Sequence, residues 1–262
     1  MQPKSAYLSP DFRPGAVRVF AHRGFAAGVG APLDENTLAA FQAASSAGAD
    51  YIESDVQLTK DGIPVLFHDR DLARIAGRPE KIRELNLGEL QAVELGEGGA
   101  IPTLREVLSA MPTARFNLDL KVSQAIGPAV AVISELGASE RVLLTSFSDR
   151  RRRAAVRSMP EAVASSAGGI RVIWLYLSHL TRFDGLFGML AKPVSALQLP
   201  TKMALMNFAD PRFIARAQRH NLEVHFWTIN DPDEMRELIL LGADGIVTDR
   251  ADLARRVSDS LS

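Results

Sequence analysis

Short runs of apolar and β-branched residues alternate with segments of helical periodicity along nearly the whole chain. In the helical segments, apolar residues recur three and four positions apart. Predicted strands cover 17–21, 51–58, 115–121, 142–146, 162–165, 196–199, 222–227 and 245–248. Predicted helices cover 37–48, 103–110, 124–136, 149–158, 211–220, 231–241 and 251–257. This alternation indicates an α/β protein whose parallel strands are joined by helical crossovers.

Eight strand–helix units in a chain of 262 residues favour a closed (β/α)8 barrel over an open sheet. No linker and no shift in composition divides the chain. We therefore expect one barrel domain over residues 17–262, preceded by an N-terminal extension of residues 1–16. The apolar segment 170–190 is expected to be a long irregular or helical stretch, and the periodicity gives it no further role.

A turn signal, Lys60-Asp61-Gly62, separates the second strand from another apolar run at 63–67. Glycine accepts the positive φ that tight hairpin turns require, so we predict a β-hairpin here. A two-residue loop would align His68 with Asp55, and a three-residue loop would align it with Ser54. In both registers the hairpin returns His68 to the side of the second strand.

Composition and charge exclude several classes of function. The chain has no cysteine, which rules out disulfides, zinc–thiolate sites and a cysteine nucleophile. Its 30 Lys and Arg nearly balance 31 Asp and Glu, and this balance argues against a nucleic-acid partner. Residues 1–15 lack the apolar run of a signal peptide, and charges interrupt 170–190. We therefore expect a cytoplasmic protein without a transmembrane segment.

Chemically active side chains collect at the C-terminal ends of the predicted strands, where (β/α)8 barrels carry their active sites. They are His22 and Arg23 on the first strand, Glu53 and Asp55 on the second, His68 on the hairpin return, Asp119 and Lys121 on the third strand, Gln198 on the sixth and Trp227 on the seventh. Charged groups inside a barrel are costly unless they are paired or bind a metal, so this clustering predicts a site.

These residue types suit the hydrolysis of a phosphodiester. Three carboxylates from two strands form an oxygen-rich site for Mg²⁺ or Ca²⁺. His22 and His68 titrate near neutral pH and could serve as general base and general acid. Arg23 and Lys121 match phosphate oxygens in geometry and charge.

Plainer interpretations compete at three positions. Asp119 and Lys121 could be an internal ion pair that fills the barrel. Glu35 could simply favour the N-terminus of its helix, where negative charge is stabilised. Trp227 could belong to the core as readily as to a ligand-binding wall.

Several motifs together make the sequence recognisable. They are His22-Arg23-Gly24, Glu35-Asn36-Thr37, Glu53-Ser54-Asp55, His68-Asp69, Ile101-Pro102-Thr103-Leu104, Asn117-Leu118-Asp119-Leu120-Lys121, Trp227-Thr228-Ile229-Asn230 and Gly245-Ile246-Val247-Thr248-Asp249. In this order and spacing they resemble the glycerophosphodiester phosphodiesterase family from about residue 19 to residue 253. Each tripeptide alone is a weak signal, whereas the combination is highly specific.

The resemblance implies a TIM barrel that hydrolyses a glycerophosphodiester, its small-molecule partner, to glycerol 3-phosphate and an alcohol. It implies roles for each matching residue: metal binding by Glu53, Asp55 and Asp119, acid–base catalysis by His22 and His68, phosphate binding by Arg23 and Lys121, and support of the site by Glu35. We also expect Trp227 and Gln198 to contact the substrate.

The sequence departs from the family pattern at two points. The family usually has Pro directly before its Glu-Asn-Thr, whereas here Asp34 precedes Glu35 and competes with it for the inward-facing role. The third-strand acid, often Glu in the family, is Asp119, whose side chain is shorter by one methylene. This difference leaves the metal site in place but could change its ion preference.

Two other functions remain as alternatives. A phosphodiesterase directed at lysophospholipids (lysophospholipase D-like) would use 170–190 to contact the acyl chain. A barrel that binds phosphorylated ligands without turnover is the second. Segment 170–190 itself could be a packing insert, a lid, or a peripheral contact surface for lipid or a partner subunit. The sequence does not predict an oligomeric state.

Overall fold

Eight parallel strands close into a barrel in the computed structural model, which describes residues 6–8, 16–26 and 32–261. The strands of the chain are β1 (Arg18–Ala21), β2 (Tyr51–Leu58), β3 (Pro64–Leu66), β4 (Phe116–Leu120), β5 (Val142–Thr145), β6 (Ala164–Ser165), β7 (Ala196–Leu199), β8 (Lys202–Met203), β9 (Met206–Asn207), β10 (Glu223–Phe226) and β11 (Gly245–Thr248). Around the barrel the order is β1, β2, β4, β5, β6, β7, β10, β11.

The barrel closes at two junctions. β1 pairs with β11 along its whole length, and Ala21 lies opposite Thr248. A parallel bridge between Ser166 and Ala196 joins β6 to β7, with the Ala167 amide donating to the Ala196 carbonyl at 2.9 Å. The predicted single-domain (β/α)8 TIM barrel is therefore confirmed.

Helices surround the barrel. They are α1 (Leu38–Ser46), α2 (Ala73–Ala76), α3 (Leu87–Gln91), α4 (Leu104–Ala110), α5 (Ile126–Glu135), α6 (Asp149–Ser158), α7 (Gly169–Leu180), α8 (Asp184–Ala191), α9 (Pro211–Arg219), α10 (Pro232–Leu240) and α11 (Ala251–Asp259). Local sequence sets many of their starts. Thr103 and Glu106 form a capping box at α4, and Asp210 and Asp231 cap α9 and α10, whose first residues are prolines.

The hairpin β2–β3 adopts the three-residue loop. Gln57 pairs with Val65, and the Thr59 amide donates to the Ile63 carbonyl at 3.1 Å, leaving residues 60–62 as the loop. This register aligns His68 with Ser54. Of the two registers that the sequence allowed, the one that would align His68 with Asp55 does not occur.

Segment 68–101, which showed no clear periodicity, contains the short helices α2 and α3. They cover a small apolar cluster beside the hairpin, separate from the main core: Val65, Phe67, Leu72, Ile82, Leu90, Val93, Leu95 and Ile101. Segment 170–190 contains two helices, α7 and α8, rather than irregular chain. The small hairpin β8–β9 was also absent from the prediction.

The N-terminal opening of the barrel is filled by side chains from outside it. Tyr7 and Leu8, in a 3₁₀ turn at Ala6–Leu8, pack with Phe20, Tyr51 and other interior residues. The Tyr51 hydroxyl donates to the Tyr7 carbonyl at 2.8 Å. Residues 6–8 thus pack as part of the barrel, while the domain boundary at residue 17 stays a prediction; the rest of the extension, except residue 16, lies outside the described residues.

Among the described residues, no helix has both the length and the apolar character needed to cross a membrane.

Candidate active site

A cavity of about 310 Å³ lies at the C-terminal ends of the strands. Nine of the ten predicted site residues line it: His22, Arg23, Glu53, Asp55, His68, Asp119, Lys121, Gln198 and Trp227. The tenth, Glu35, contacts the Arg23 side chain from outside the cavity, with Arg23 Nη1 donating to Glu35 Oε1 at 3.0 Å. The parallel register explains this convergence, because the strand ends meet at one edge of the barrel.

His22 is held by a carboxylate from the last strand. Its Nδ1 lies 2.8 Å from Asp249 Oδ1, and Asn230 Nδ2 donates to Asp249 Oδ2 at 2.7 Å. Burial lowers the pKa of His22, but the hydrogen bond to Asp249 and the charge of Glu53 outweigh it and raise the pKa above its usual value. The arrangement directs Nε2 of the imidazole to the cavity.

His68 has the same kind of partner. Its Nδ1 lies 2.7 Å from Asp69 Oδ1, and Arg74 Nε donates to Asp69 Oδ2 at 2.7 Å. Gln57 holds the backbone of this segment, because its Nε2 donates to the Asp69 carbonyl at 2.9 Å. Both histidines are therefore oriented through Nδ1 by a carboxylate, a pattern typical of acid–base catalysts.

The acidic residues come from two neighbouring strands. Asp55 and Asp119 are partners in the β2–β4 register, so their side chains leave the barrel wall side by side. Lys121 Nζ lies between them, 2.6 Å from Asp55 Oδ1 and 2.7 Å from Asp119 Oδ2. Burial lowers the pKa of Lys121, but the two carboxylates raise it to about 12. Lys121 thus lines the cavity while paired with both carboxylates, and its contact with Asp119 is the ion pair that the alternative interpretation described.

Glu53 is half-buried near these groups. Burial and the neighbouring charge of Asp55 raise the pKa of Glu53 to about 7. The backbone amide of Arg23, which has a φ of 54°, donates to Glu53 Oε2 at 3.1 Å. The turn after β1 thereby fixes the Glu53 carboxylate at the cavity.

The three carboxylates are ligands of the type that a hard cation prefers, but they do not form a compact ligand set. Within residues 6–8, 16–26 and 32–261, no three His, Asp or Glu side chains are arranged closely enough to hold a metal ion. Asp119 Oδ1, however, is buried without a hydrogen-bond partner in the described structure. Such an oxygen needs a hydrogen-bond donor or a cation, and carboxylate oxygens are the ligands that hard divalent cations prefer.

Glu35, not Asp34, faces the site. Glu35 accepts from Arg23 and is also paired with Arg74, which links it to the Asp69–His68 pair. Asp34 instead accepts from the backbone amides of residues 97 and 99, at 3.0 and 2.9 Å. Burial raises the pKa of Glu35, but the hydrogen bonds and charges of Arg74 and Arg23 lower it by a larger amount. The pKa of Glu35 is therefore below its usual value.

Opposite the charged groups, the cavity wall is apolar. Phe147 and Trp227 meet edge to face with ring centroids 6.1 Å apart, and Val172, Met203 and Phe208 continue the wall. The Gln198 side-chain nitrogen is buried with no hydrogen-bond partner among the described residues, so it is available to a ligand. Trp227 lines the cavity and also packs against the buried residues of the barrel interior.

This arrangement agrees with what comparison with known proteins shows. A family model described as the glycerophosphoryl diester phosphodiesterase family matches residues 22–253. The chain belongs to this family. It is an enzyme, a phosphoric diester hydrolase of the glycerophosphodiester phosphodiesterase class.

Relatives support this assignment. The Mycobacterium tuberculosis protein named "Probable glycerophosphodiester phosphodiesterase 2" is 39% identical over 246 residues, which are 94% of this chain and 92% of that protein. A crystal structure from Silicibacter pomeroyi, whose name places it in the same family, has a TM-score of 0.79 at 20% identity and covers 98% of both chains. A phosphodiesterase from Oleispira antarctica, solved with the product sn-glycerol-3-phosphate, has a TM-score of 0.75 at 25% identity and covers 93% of this chain and 97% of its own.

Several residues of this phosphodiesterase site were not singled out from the sequence. Asn36 donates from Nδ2 to Asp55 Oδ2 at 3.1 Å and accepts from the Ser54 hydroxyl at 2.6 Å, so it holds the second strand's acid in place. Asp249 and Asn230 orient His22. Asp249 and Asn230 both lie within the motifs named in the sequence. Their link to His22 becomes evident only when the last strand is paired with the first.

Proposed function

We propose that the enzyme hydrolyses glycerophosphodiesters through the paired action of His22 and His68. Water is consumed, one P–O bond breaks, and the products are glycerol 3-phosphate and an alcohol. The observation that carries this proposal is that both imidazoles line one cavity, each with Nδ1 bound to a carboxylate. One imidazole accepts the proton of the attacking water, and the other donates a proton to the leaving alcohol oxygen; if a glycerol hydroxyl attacks first, water then opens the cyclic phosphate with the proton roles exchanged.

The cations of the site bind the phosphate. Arg23 lines the cavity and is fixed by Glu35, so its guanidinium is preorganised for phosphate oxygens. Lys121 would join it once released from Asp55 and Asp119. Gln198 and Trp227 would contact the remainder of the substrate, the first through its buried nitrogen and the second through its ring.

A divalent cation, Mg²⁺ or Ca²⁺, would be held by Glu53, Asp55 and Asp119. The unpartnered Asp119 oxygen and the three carboxylates at one cavity support this assignment. The bound ion would supply positive charge against the phosphate oxygens.

The substrate is proposed to be a soluble glycerophosphodiester rather than a lysophospholipid. The relative that shares 39% identity is named for this activity. The site also supports turnover, since a barrel that only binds phosphate has no need of two carboxylate-oriented histidines. A cytoplasmic location remains part of this proposal.

The roles of the histidines are tested with His22→Ala and His68→Ala on glycerophosphocholine in the presence of Mg²⁺ or Ca²⁺. Each variant should lose about 10²- to 10⁴-fold in kcat, the usual contribution of a general acid or base. His220→Ala is the matched control, because His220 contacts Asp184 away from the cavity, and it should keep its activity. Full activity in both cavity variants would contradict the proposal.

Cation dependence is tested by chelation. Enzyme treated with a chelator should lose turnover of glycerophosphocholine and regain it with Mg²⁺ or Ca²⁺. Asp119→Asn should need a higher ion concentration for half-maximal activity, because a carboxylate oxygen is replaced by a weaker ligand. Unchanged turnover after chelation would exclude the cation from the mechanism.

A further inference from the structure

Large apolar side chains are exposed mainly in one part of the surface. Of the twelve that are exposed in the described part of the chain, ten lie between residues 147 and 205. Six of them form what we call the rim patch: Ile170, Ile173, Trp174, Leu177 and Leu180 of α7, and Leu205 between β8 and β9. Trp174 is 54% exposed and Leu205 is 99% exposed. Several large apolar side chains exposed on one helix and on the hairpin beside it indicate an interaction site.

α7 runs along the C-terminal edge of the barrel, beside the mouth of the cavity. At its start, Gly169 and Val172 line the cavity. Further along, the Tyr176 hydroxyl accepts from the Asn207 amide at 3.2 Å, which ties α7 to the β8–β9 hairpin. His179 lies 3.5 Å from Asp210, the cap of α9. Both ends of α7 are thus held at the edge where substrate enters.

α7 and the β8–β9 hairpin each contribute both to the cavity wall and to the rim patch. α7 buries Val172 and Leu175 on one face and exposes the patch on the other. Met203, which lines the cavity, lies two residues from Leu205 on the same hairpin. The exposed Phe147 lines the cavity as well. A partner of the rim patch would therefore lie beside the entrance to the active site.

The segment of chain that carries the rim patch is basic. Residues 147–206 contain nine Lys or Arg and three Asp or Glu, a formal charge of +6, although the whole chain carries −1. The exposed basic residues of this segment are Arg150, Arg153, Arg157, Arg182, Lys192 and Lys202. Arg182 follows α7 directly, and Lys202 lies on the β8–β9 hairpin. Apolar side chains flanked by basic ones match an anionic membrane surface in both respects.

We propose that the rim patch docks this phosphodiesterase onto an anionic lipid bilayer, with the mouth of the active site facing the membrane. The apolar side chains would enter the headgroup region, and the basic residues would contact lipid phosphates. A second copy of the chain fits this face less well, because a two-fold contact would bring the same basic segments together. Docking would place the enzyme where lipid breakdown supplies glycerophosphodiesters.

Vesicle sedimentation tests this proposal. The protein should sediment with vesicles of phosphatidylcholine and phosphatidylglycerol in equal amounts, more weakly with phosphatidylcholine alone, and less at high salt. The double variant Ile173→Ser/Trp174→Ser should bind the vesicles at least about tenfold more weakly, because it removes two apolar side chains that would enter the bilayer. Its turnover of soluble glycerophosphocholine should remain that of the wild type, because neither residue lines the cavity.

Leu240→Ser is the matched control, because Leu240 is 71% exposed on α10 and outside the rim patch. It should bind vesicles as the wild type does. Equal vesicle binding by the wild type and the double variant, or none by the wild type, would overturn the docking. So would self-association of the wild type without vesicles that the double variant abolishes, since the patch would then join two copies. Vesicle binding needs no turnover, so its failure is separate from a failure of the proposed reaction.

Discussion

At the level of single residues, the closure of the barrel decides how His22 is oriented. Ala21 pairs with Thr248, so the next residue on each strand, His22 and Asp249, lie side by side. The sequence predicted His22 from its position at a strand end, but it left Asp249 unassigned. The partner follows only when the last strand is placed against the first, in register.

Asp249→Asn tests this orientation. The variant keeps the shape of the side chain but loses the charge that raises the pKa of His22. We expect kcat to fall by about 10- to 100-fold, and the pKa that reports His22 in the pH–rate profile to move to lower pH. The measurement is kcat/KM on glycerophosphocholine across neutral pH. A lower kcat with an unmoved profile would mean that Asp249 acts only in packing.

The acidic cluster shows the limit of residue-level prediction. Parity along β2 and β4 correctly placed Glu53, Asp55 and Asp119 at one cavity. The sequence offered the Asp119–Lys121 ion pair as an alternative but gave no sign of the second contact of Lys121, with Asp55. Which partner a flexible ammonium selects depends on distances of a few tenths of an ångström, and strand patterns do not carry that information.

At the level of elements, periodic segments were predicted well and short ones were missed. β2 covers the predicted 51–58, β5 is an apolar run within the predicted 142–146, and α6 covers the predicted 149–158. α3 is only five residues long and depends on distant contacts. Its first amide donates to Asp61 in the hairpin loop, and Leu90 packs into the small cluster beside β3. Local propensity cannot predict a helix that tertiary contacts hold in place.

The hairpin loop provides a test at this level. Gly62 has a φ of 83° with no atom near an added Cβ, so Gly62→Ala should cost only backbone strain, about 1 kcal/mol of unfolding free energy. Gly127 in α5 also has open space but no positive φ, and Gly127→Ala should be neutral or stabilise by about 0.5 kcal/mol. Urea unfolding of both variants measures the difference. Equal effects would contradict the assigned loop conformation.

At the level of the whole molecule, a buried ion pair joins strands on opposite sides of β11. Arg18 on β1 donates to both oxygens of Glu223 on β10, at 2.8 and 3.0 Å, and His225 Nε2 lies 3.1 Å from Glu223 Oε2. Burial raises the pKa of Glu223, but the hydrogen bonds with His225 and Arg18 outweigh it and lower the pKa to about 2. The interior of the barrel is therefore sensitive to acid.

Stability should follow the titration of Glu223. Because its pKa is lower in the folded state than its usual 4.5, the carboxylate stabilises the fold above pH 4.5. That contribution, about 3 kcal/mol, is lost as the pH falls from 4.5 towards 2. Unfolding free energies of the wild type and Glu223→Gln should differ most at neutral pH and converge within this window. A difference that does not vary with pH would show that Glu223 stabilises by packing alone.

Tyr7, which fills the N-terminal opening of the barrel, bears on the order in which the barrel is completed. Tyr7 and Leu8 precede every barrel strand in the chain, yet they belong to a buried cluster that includes Val247 on the last strand and Ala196 on β7. During synthesis, these two side chains are made first and can be fully enclosed only after β11 has joined β1. Tyr7 is fully buried, so protection of this segment from protease marks completion of the barrel rather than its beginning.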